Sequence, residues 1–173
     1  MRRAGDFFAA VQRSRALHRG LVAPPSTPEA LRAYVSRCRR ASHVGYFVCG
    51  EQGALVGVIN INEIVLGGFC SGYLGYYAFA PHAGHGYMAE GLRHVMRRAF
   101  GEHGLHRLEA NIQPSNVRSK ALVERLRFRL EGVSPRYLKI AGRWRDHERW
   151  AITIEDWRRS GLHTSNHTER PVR

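Results

Sequence analysis

Gly72-Tyr73-Leu74-Gly75-Tyr76-Tyr77-Ala78-Phe79 is followed by Pro81-His82-Ala83-Gly84-His85-Gly86 and then by Tyr87-Met88-Ala89-Glu90-Gly91-Leu92. Within this stretch the period of the chain changes. The first block is aromatic and apolar and reads as a strand. Proline and two glycines break it. Beyond them Met88, Leu92, Val95, Met96 and Ala99 mark one face of a helix of period about 3.6, with Glu90, Arg93, His94, Arg97 and Arg98 on the other. Gly101 and Gly104 end that helix. A glycine pair between strand and helix lets the backbone approach a ligand closely. The first helical N–H groups point outward unpaired and, with the helix dipole, form an anion site suited to pyrophosphate. The dinucleotide fingerprint would want a third glycine where Ala89 stands, and the P-loop would want G-K-[ST]; the sequence has neither.

Working outward, Tyr46–Cys49 and Ala54–Ile61 are β-rich runs around Gly50-Glu51-Gln52-Gly53, a hairpin. Upstream, Asp6–His18 has loosely helical spacing. Leu21–Pro28 is a turn, because its prolines cannot sit inside a helix. Thr27 caps the next helix, with Pro28 at its first position and Glu29 in its first turn, and that helix runs to about Arg39. Downstream the expectation is a strand Arg107–Ile112, a turn Gln113-Pro114-Ser115, a helix Asn116–Leu126, a strand Phe128–Val133, and a last hairpin of Tyr137–Ile140 with Arg143–Ile154. From Trp157 on, Ser, Thr, His, Asn and Arg dominate, which predicts a mobile tail over 157–173. The order αα–βββ–α–β–α–ββ(β) predicts one α/β (α+β) domain over 1–156, a mixed, mostly antiparallel sheet with helices on both faces.

The chain has 173 residues, room for one core. No apolar run approaches the ~18 residues of a membrane span. Met1–Asp6 lacks the apolar region of a signal peptide, so the expected location is the cytoplasm. Cys38, Cys49 and Cys70 are odd in number and widely spaced, which argues against a disulfide framework, and no His or Cys cluster has metal spacing, so no metal is expected. The formal charge is +13, from 27 basic and 14 acidic residues; only Lys120 and Lys139 are lysines. Such a field attracts phosphates, RNA or acidic surfaces, but no motif marks a dedicated nucleic-acid domain, and any such contact is expected to be unspecific.

About thirty residues beyond the glycine pair lies Ile112-Gln113-Pro114-Ser115-Asn116-Val117-Arg118-Ser119-Lys120-Ala121-Leu122-Val123-Glu124-Arg125-Leu126-Arg127-Phe128. This segment resembles the "N-x-x-S-x-x-L-x-E-x-L-G-F" element of the GNAT superfamily of N-acetyltransferases. Gly84–Ala89 is similar to that family's "[RQ]-G-x-G-[YLI]-[MAG]" loop. Tyr137-Leu138-Lys139-Ile140-Ala141-Gly142-Arg143-Trp144-Arg145-Asp146-His147 resembles the "Y-L-x-I-x-G-x-W-R-D-H" signature of the RimJ/RimL-type ribosomal-protein-alanine acetyltransferases. Ile64–Gly68 with Tyr73-Leu74-Gly75-Tyr76 also fits that subgroup. The resemblance covers about Asp6 to Thr153.

The resemblance implies a GNAT fold with a V-shaped splay between two strands. It implies acetyl-CoA as cosubstrate and a primary amine as acceptor, foremost a protein or peptide N-terminus such as a ribosomal protein's. The amides of Gly84, His85, Gly86, Tyr87 and Met88 would cradle the pyrophosphate. Ala78, Phe79 and Ala80 would meet the pantetheine arm, Asn116 would hydrogen-bond the cofactor, and Ser119 would face the sulfur. Glu109 and Glu63 are the candidate bases, with solvent-facing strand residues as their plainer reading. Tyr76 and Tyr77 read first as packing, His82 and His85 as phosphate or solvent contacts, and Asp146 and His147 as structural hydrogen bonds. The sequence departs from the family pattern at Ala83, Val123 and Arg127, and the family's first β-strand is missing or degenerate. An acetyltransferase acting on a small amine (an antibiotic or polyamine) and a non-catalytic acetyl-CoA or RNA binder are the alternatives. Monomer and homodimer both stay open.

Overall fold

The computed structural model describes residues 3–162. In chain order the elements are α1 (Ala4–Arg13), α2 (Arg15–His18), α3 (Pro28–Arg37), β1 (Val44–Cys49), β2 (Leu55–Val65), β3 (Ser71–Ala78), α4 (Tyr87–Gly101), β4 (Arg107–Ile112), α5 (Val117–Arg125), β5 (Arg129–Ile140), β6 (Arg143–Thr153) and α6 (Ile154–Arg159). The six strands form one sheet in the order β1-β2-β3-β4-β6-β5. Only β3 and β4 run parallel; the other neighbours are antiparallel.

Strand alternation sends successive side chains to opposite faces, and helices cover both. On one face Ile59, Ile61, Leu74, Leu108, Ala110 and Ile112 pack under Leu92, Val95, Met96 and Ala99 of α4 and Val123 of α5. The amphipathic stripe seen in the sequence is therefore the buried side of α4. Each fully buried leucine or methionine there stabilises the fold by roughly 1.5–3 kcal/mol. Gly91 allows the close seat of this helix: a Cβ there would stand 3.0 Å from Val48 Cγ2. On the opposite face Leu55, Val58, Tyr77 and Phe79 pack under Phe7, Ala10, Leu31 and Tyr34 of α1 and α3. Thr27 Oγ1 accepts from the Ala30 N–H at 3.2 Å and Pro28 opens α3, as its sequence requires.

One expectation changes. The expected strands Phe128–Val133 and Tyr137–Ile140 are one strand, β5, because a bulge between Ser134 and Leu138 absorbs Pro135 and lets pairing with β6 resume. The boundary at residue 156 falls inside α6. There Thr153 and Asp156 form a capping box, and buried Trp157 lies 6.2 Å from the Phe100 ring centroid. Residues 163–173 of the expected tail lie outside the described residues. Among the described residues no strand precedes α1.

Candidate active site

The parallel pair of β3 and β4 is in register from Ser71↔Arg107 to Leu74↔Ala110 and then stops. Beyond that point β3 continues beside β2 up to Gly57↔Ala78, and β4 continues beside β6 up to Ile112↔Glu148. The two strands part at their carboxyl ends, which is the expected V-shaped splay. Phe79 N–H bonds Val56 O at 2.8 Å, so by antiparallel alternation the backbone groups of Tyr76 and Ala78 turn away from β2 into the gap. Ligands of open α/β sheets bind beyond such carboxyl ends.

At the tip, Gly84 and Gly86 have φ of +90° and +87°, and a Cβ at either would meet open space. Glycine is thus needed there for its backbone conformation, which L side chains rarely adopt. Gly86 caps α4 in a left-handed conformation without a side-chain cap bond. Its carbonyl takes the N–H groups of Ala89 and Glu90. Among the described residues the N–H groups of Gly84, Gly86, Tyr87 and Met88 have no acceptor, whereas His85 N–H reaches His82 O at 3.5 Å. The result is a cluster of outward-facing donors at a helix N-terminus. His82 stacks edge-on against Tyr87, and exposed His85 points to solvent.

A cavity of about 440 Å³ runs along the gap. Leu74, Gly75 and Tyr76 wall one side and Ala110, Asn111, Ile112 and Gln113 the other, with Asn116 and Ser119 of α5 at one end. The Tyr76 hydroxyl lies 2.6 Å from Ser119 Oγ. Burial pushes the Tyr76 phenol up to about 12, against a hydrogen bond from Ser119 that lowers it. The phenol therefore stays protonated and able to donate at neutral pH. Asn116 is the N-cap of α5: its Oδ1 accepts the Ser119 N–H at 3.2 Å, which fixes the backbone under the serine.

The two candidate carboxylates occupy different surroundings. Glu63 lines the cavity, sits at a bulge of β2 with φ +49°, and has a 69% exposed side chain 3.4 Å from His43 Nε2. Glu109 does not line it. Its Oε1 accepts from Arg107 Nε at 2.9 Å, and Arg107 is also bonded to Glu131. At the strand end, the Ala78 carbonyl accepts from His18 Nε2 at 2.8 Å and the Ala80 N–H donates to Ser14 Oγ at 2.9 Å. Phe79 is fully buried with its ring in the second core. Hence the groups of this segment expected to meet a ligand are partly engaged by Ser14, between α1 and α2, and by His18 of α2, and a ligand there would share or displace those bonds. Val123 is buried in the first core, and Tyr76 instead places a phenol against Ser119. Ala83 leaves the loop without a cationic side chain at its entrance.

Cavity-lining residues that were not singled out from sequence include Asn111, Tyr73 and Tyr137. Asn111 stands on the far wall with its Oδ1 buried and unbonded, two residues along the same strand face from Glu109. Tyr73 of β3 and Tyr137 of β5 also line the cavity; burial, then Glu109 and Tyr137, raise the Tyr73 phenol. His147 is buried, and its Nδ1 donates to Arg145 O at 3.0 Å, a structural bond as expected. Of the tryptophans, Trp150 and Trp157 are core, but Trp144 is 61% exposed at the β5–β6 hairpin tip. No group of three or more His, Cys, Asp or Glu among the described residues could hold a metal ion, and no described helix is long and apolar enough to cross a membrane.

These features agree with relatives found by comparison. The profile of the acetyltransferase (GNAT) domain matches residues 3–129. The chain is 35% identical over 114 residues to the probable N-acetyltransferase YjcK of Bacillus subtilis (strain 168), which covers 66% of this chain and 62% of that protein. It is 39% identical over 117 residues to the ribosomal protein uS5-alanine N-acetyltransferase of Escherichia coli (strain K12), 68% of this chain and 60% of that protein. The match thus spans about three fifths of the length of these curated relatives. The solved structure of Mycobacterium smegmatis RimJ in complex with CoA-disulfide superposes with a TM-score of 0.84 at 25% identity, covering 94% of this chain and 82% of that one. With a mixed sheet parted between β3 and β4, a glycine-built N-terminus on α4, and a domain profile matching well over half its length, the chain belongs to the GNAT acetyltransferase family.

Proposed function

We propose that this chain is an acetyl-CoA-dependent N-acetyltransferase whose acceptor is the N-terminal α-amine of a protein, one of ribosomal-protein type. The observation that carries the reading is the cavity between β3 and β4, with unpaired N–H groups at its glycine tip and the Tyr76–Ser119 hydroxyl pair in its wall. The unsatisfied donors of Gly84, Gly86, Tyr87 and Met88 fit a pyrophosphate, and the backbone of Tyr76 and Ala78 fits an amide-bearing arm. The names of the Escherichia coli relative and of the RimJ structure, the latter solved with a CoA species, support the same class of donor and acceptor.

When bound, acetyl-CoA supplies the acetyl carbonyl that the amine attacks and the thiol that leaves. The chain's own part is mainly to hold the reactants together. An N-terminal amine has a pKa of about 7.7–8.0, so at neutral pH it needs only mild help to lose its proton. Glu63 is placed on the cavity to receive it, while Glu109 is held by Arg107. Asn111 Oδ1, buried and unbonded, is an acceptor that orients the amine. Ser119, with Tyr76 behind it, offers a hydroxyl proton to the departing sulfur.

The test is thiol release from acetyl-CoA with a panel of peptides bearing free N-termini and of small amines. Release with peptides that begin with Ala or Ser, reduced in Ser119→Ala, supports the proposal. Release with small amines alone moves the acceptor to that class. If acetyl-CoA raises the melting temperature but no acceptor releases thiol, the chain is a binding module. Absence of both overturns the donor assignment.

A further inference from the structure

Among the described residues the helices over the second core pack on β2 and β3, and on that face β4, β6 and β5 carry no helical cover among them. Alternation along β6 places Arg145, His147 and Arg149 on one face. His147 lines the cavity. Arg149 lies directly opposite Asn111 in the β4–β6 register, and Arg145 directly opposite Leu138 in the β5–β6 register; both of those residues are cavity wall. Directly opposed side chains stand about 5 Å apart at Cβ, so the two arginines bracket the cavity. Gly132, paired with Arg149, leaves the guanidinium its room: a Cβ there would be 3.1 Å from Nη2.

The carboxylates on and around these strands are already engaged. Glu109 and Glu131 are taken by Arg107, Glu131 also by Arg129, and Asp156 by Arg129 and Arg159. Glu148 is held by Lys120 and Trp150 Nε1, and Asp146 accepts from the Arg136 N–H. The guanidinium groups of Arg145 and Arg149 have no hydrogen-bond or ion-pair partner among the described residues, and the Nε of each is buried. A buried, unpaired donor on a cation is costly unless something accepts from it.

We infer that Arg145 and Arg149 receive carboxylates of the acceptor polypeptide, so that the preferred substrate is a protein whose N-terminal segment is acidic just beyond its first residues. This rests on the acetyl-transfer reading for the position of the amine. From an amine held beside Asn111, an extended chain advances roughly 3.3 Å per residue. Side chains roughly two to four residues on therefore pass over the arginine stripe. The excess of 27 basic over 14 acidic residues steers such a segment toward this surface.

The experiment uses the full chain and two peptides that begin with Ala and differ only in carrying glutamates or glutamines at positions three to five. Thiol release gives kcat/KM for each, and fluorescence anisotropy of the labelled peptides gives binding without turnover. The expected ratio is about tenfold in favour of the glutamate peptide, expressed mainly in KM and weakened by salt. It collapses toward one in R145Q/R149Q and persists in R145K/R149K. It also persists in R39Q/R40Q, which removes the same charge from an exposed site elsewhere. Equal values for the two peptides, or a preference that survives R145Q/R149Q, overturns the inference. If no peptide releases thiol, acetyl transfer fails while anisotropy still decides whether these arginines read acidic chains. A melting curve for each variant separates loss of recognition from loss of fold.

Discussion

The Tyr76 hydroxyl on β3 and the Ser119 hydroxyl on α5 are 2.6 Å apart across the mouth of the parted strands. A serine hydroxyl hydrogen-bonded to a phenol that burial holds at about 12 is polarised toward donation but not ionised. If the pair delivers a proton to the leaving sulfur as one unit, Ser119→Ala and Tyr76→Phe should each lower kcat by roughly 10- to 100-fold with KM for acetyl-CoA little changed. The double variant should lose little more than either single one, because residues acting as a unit are not additive. Steady-state kinetics on the four proteins checks this. Additive losses would mean that the two hydroxyls act separately.

Glu63 and Glu109 should separate by what their loss affects. Glu63 is exposed on the cavity with His43 Nε2 3.4 Å away, so Glu63→Gln should lower kcat/KM at pH 7 and leave the melting temperature almost unchanged. Glu109 is mostly buried against Arg107, which also holds Glu131. Glu109→Gln should therefore cost about 1–2 kcal/mol of stability, by weakening a partly buried ion pair, with a smaller effect on turnover. Urea melts and peptide kinetics on both variants distinguish the roles; a Glu109→Gln enzyme that is fully stable but inactive would reverse the assignment.

The reach of the sequence can be judged from such residues. Gly84, Gly86 and the periodic face of α4 were legible because backbone conformation and helix period are local properties that residue type reports directly. Thr27 and Pro28 announced α3 for the same reason. The single long β5 was not legible, since Pro135 and Arg136 (φ +50°) carry the marks of a loop, and only the pairing of Ser134 and Leu138 with β6 on either side of them joins the two halves into one strand. Nor was the Tyr76–Ser119 contact: alternation assigns Tyr76 to a face, but which side chain of α5 lies opposite is set by how the helix docks. His18 reaching the Ala78 carbonyl across 60 residues of chain is likewise a product of packing alone.

Buried phenols make the fold sensitive to alkali. Burial raises Tyr76 to about 12 and pushes Tyr77 and Tyr34 higher still, Tyr34 with added repulsion from Cys38. The unfolded phenol ionises at about 10, so above that pH the native state binds more protons than the unfolded one and stability falls as pH rises. At pH 11 each such tyrosine should cost about 1 kcal/mol relative to pH 9, the unfolded chain being mostly ionised and the native site not. Urea unfolding at pH 9 and 11 should show the loss, and Tyr76→Phe should remove about 1 kcal/mol of it. A loss unaltered in Tyr76→Phe would mean that its phenol ionises freely in the native protein.

Arg127 marks a local strain that a single change should relieve. The N–H of Phe128 bonds Val123 O at 3.0 Å and that of Arg127 bonds Glu124 O at 2.9 Å, the paired bonds that close α5 in a Schellman motif. The motif needs a left-handed residue at this point, and Arg127 supplies it with φ +65°. A side-chain-bearing residue pays about 1–2 kcal/mol for that conformation, whereas glycine adds about 0.4–1 kcal/mol of unfolded-chain entropy. Arg127→Gly should therefore stabilise the protein by about 0.5–1 kcal/mol, a rise in melting temperature of about 1–4 °C for a domain of this size. Arg127 is exposed and makes no side-chain bond among the described residues, so little is lost with it. Arg127→Ala is the control, since it removes the same charge but keeps the Cβ. Equal stabilisation by both variants would assign the gain to charge, in a chain of net +13, rather than to the backbone.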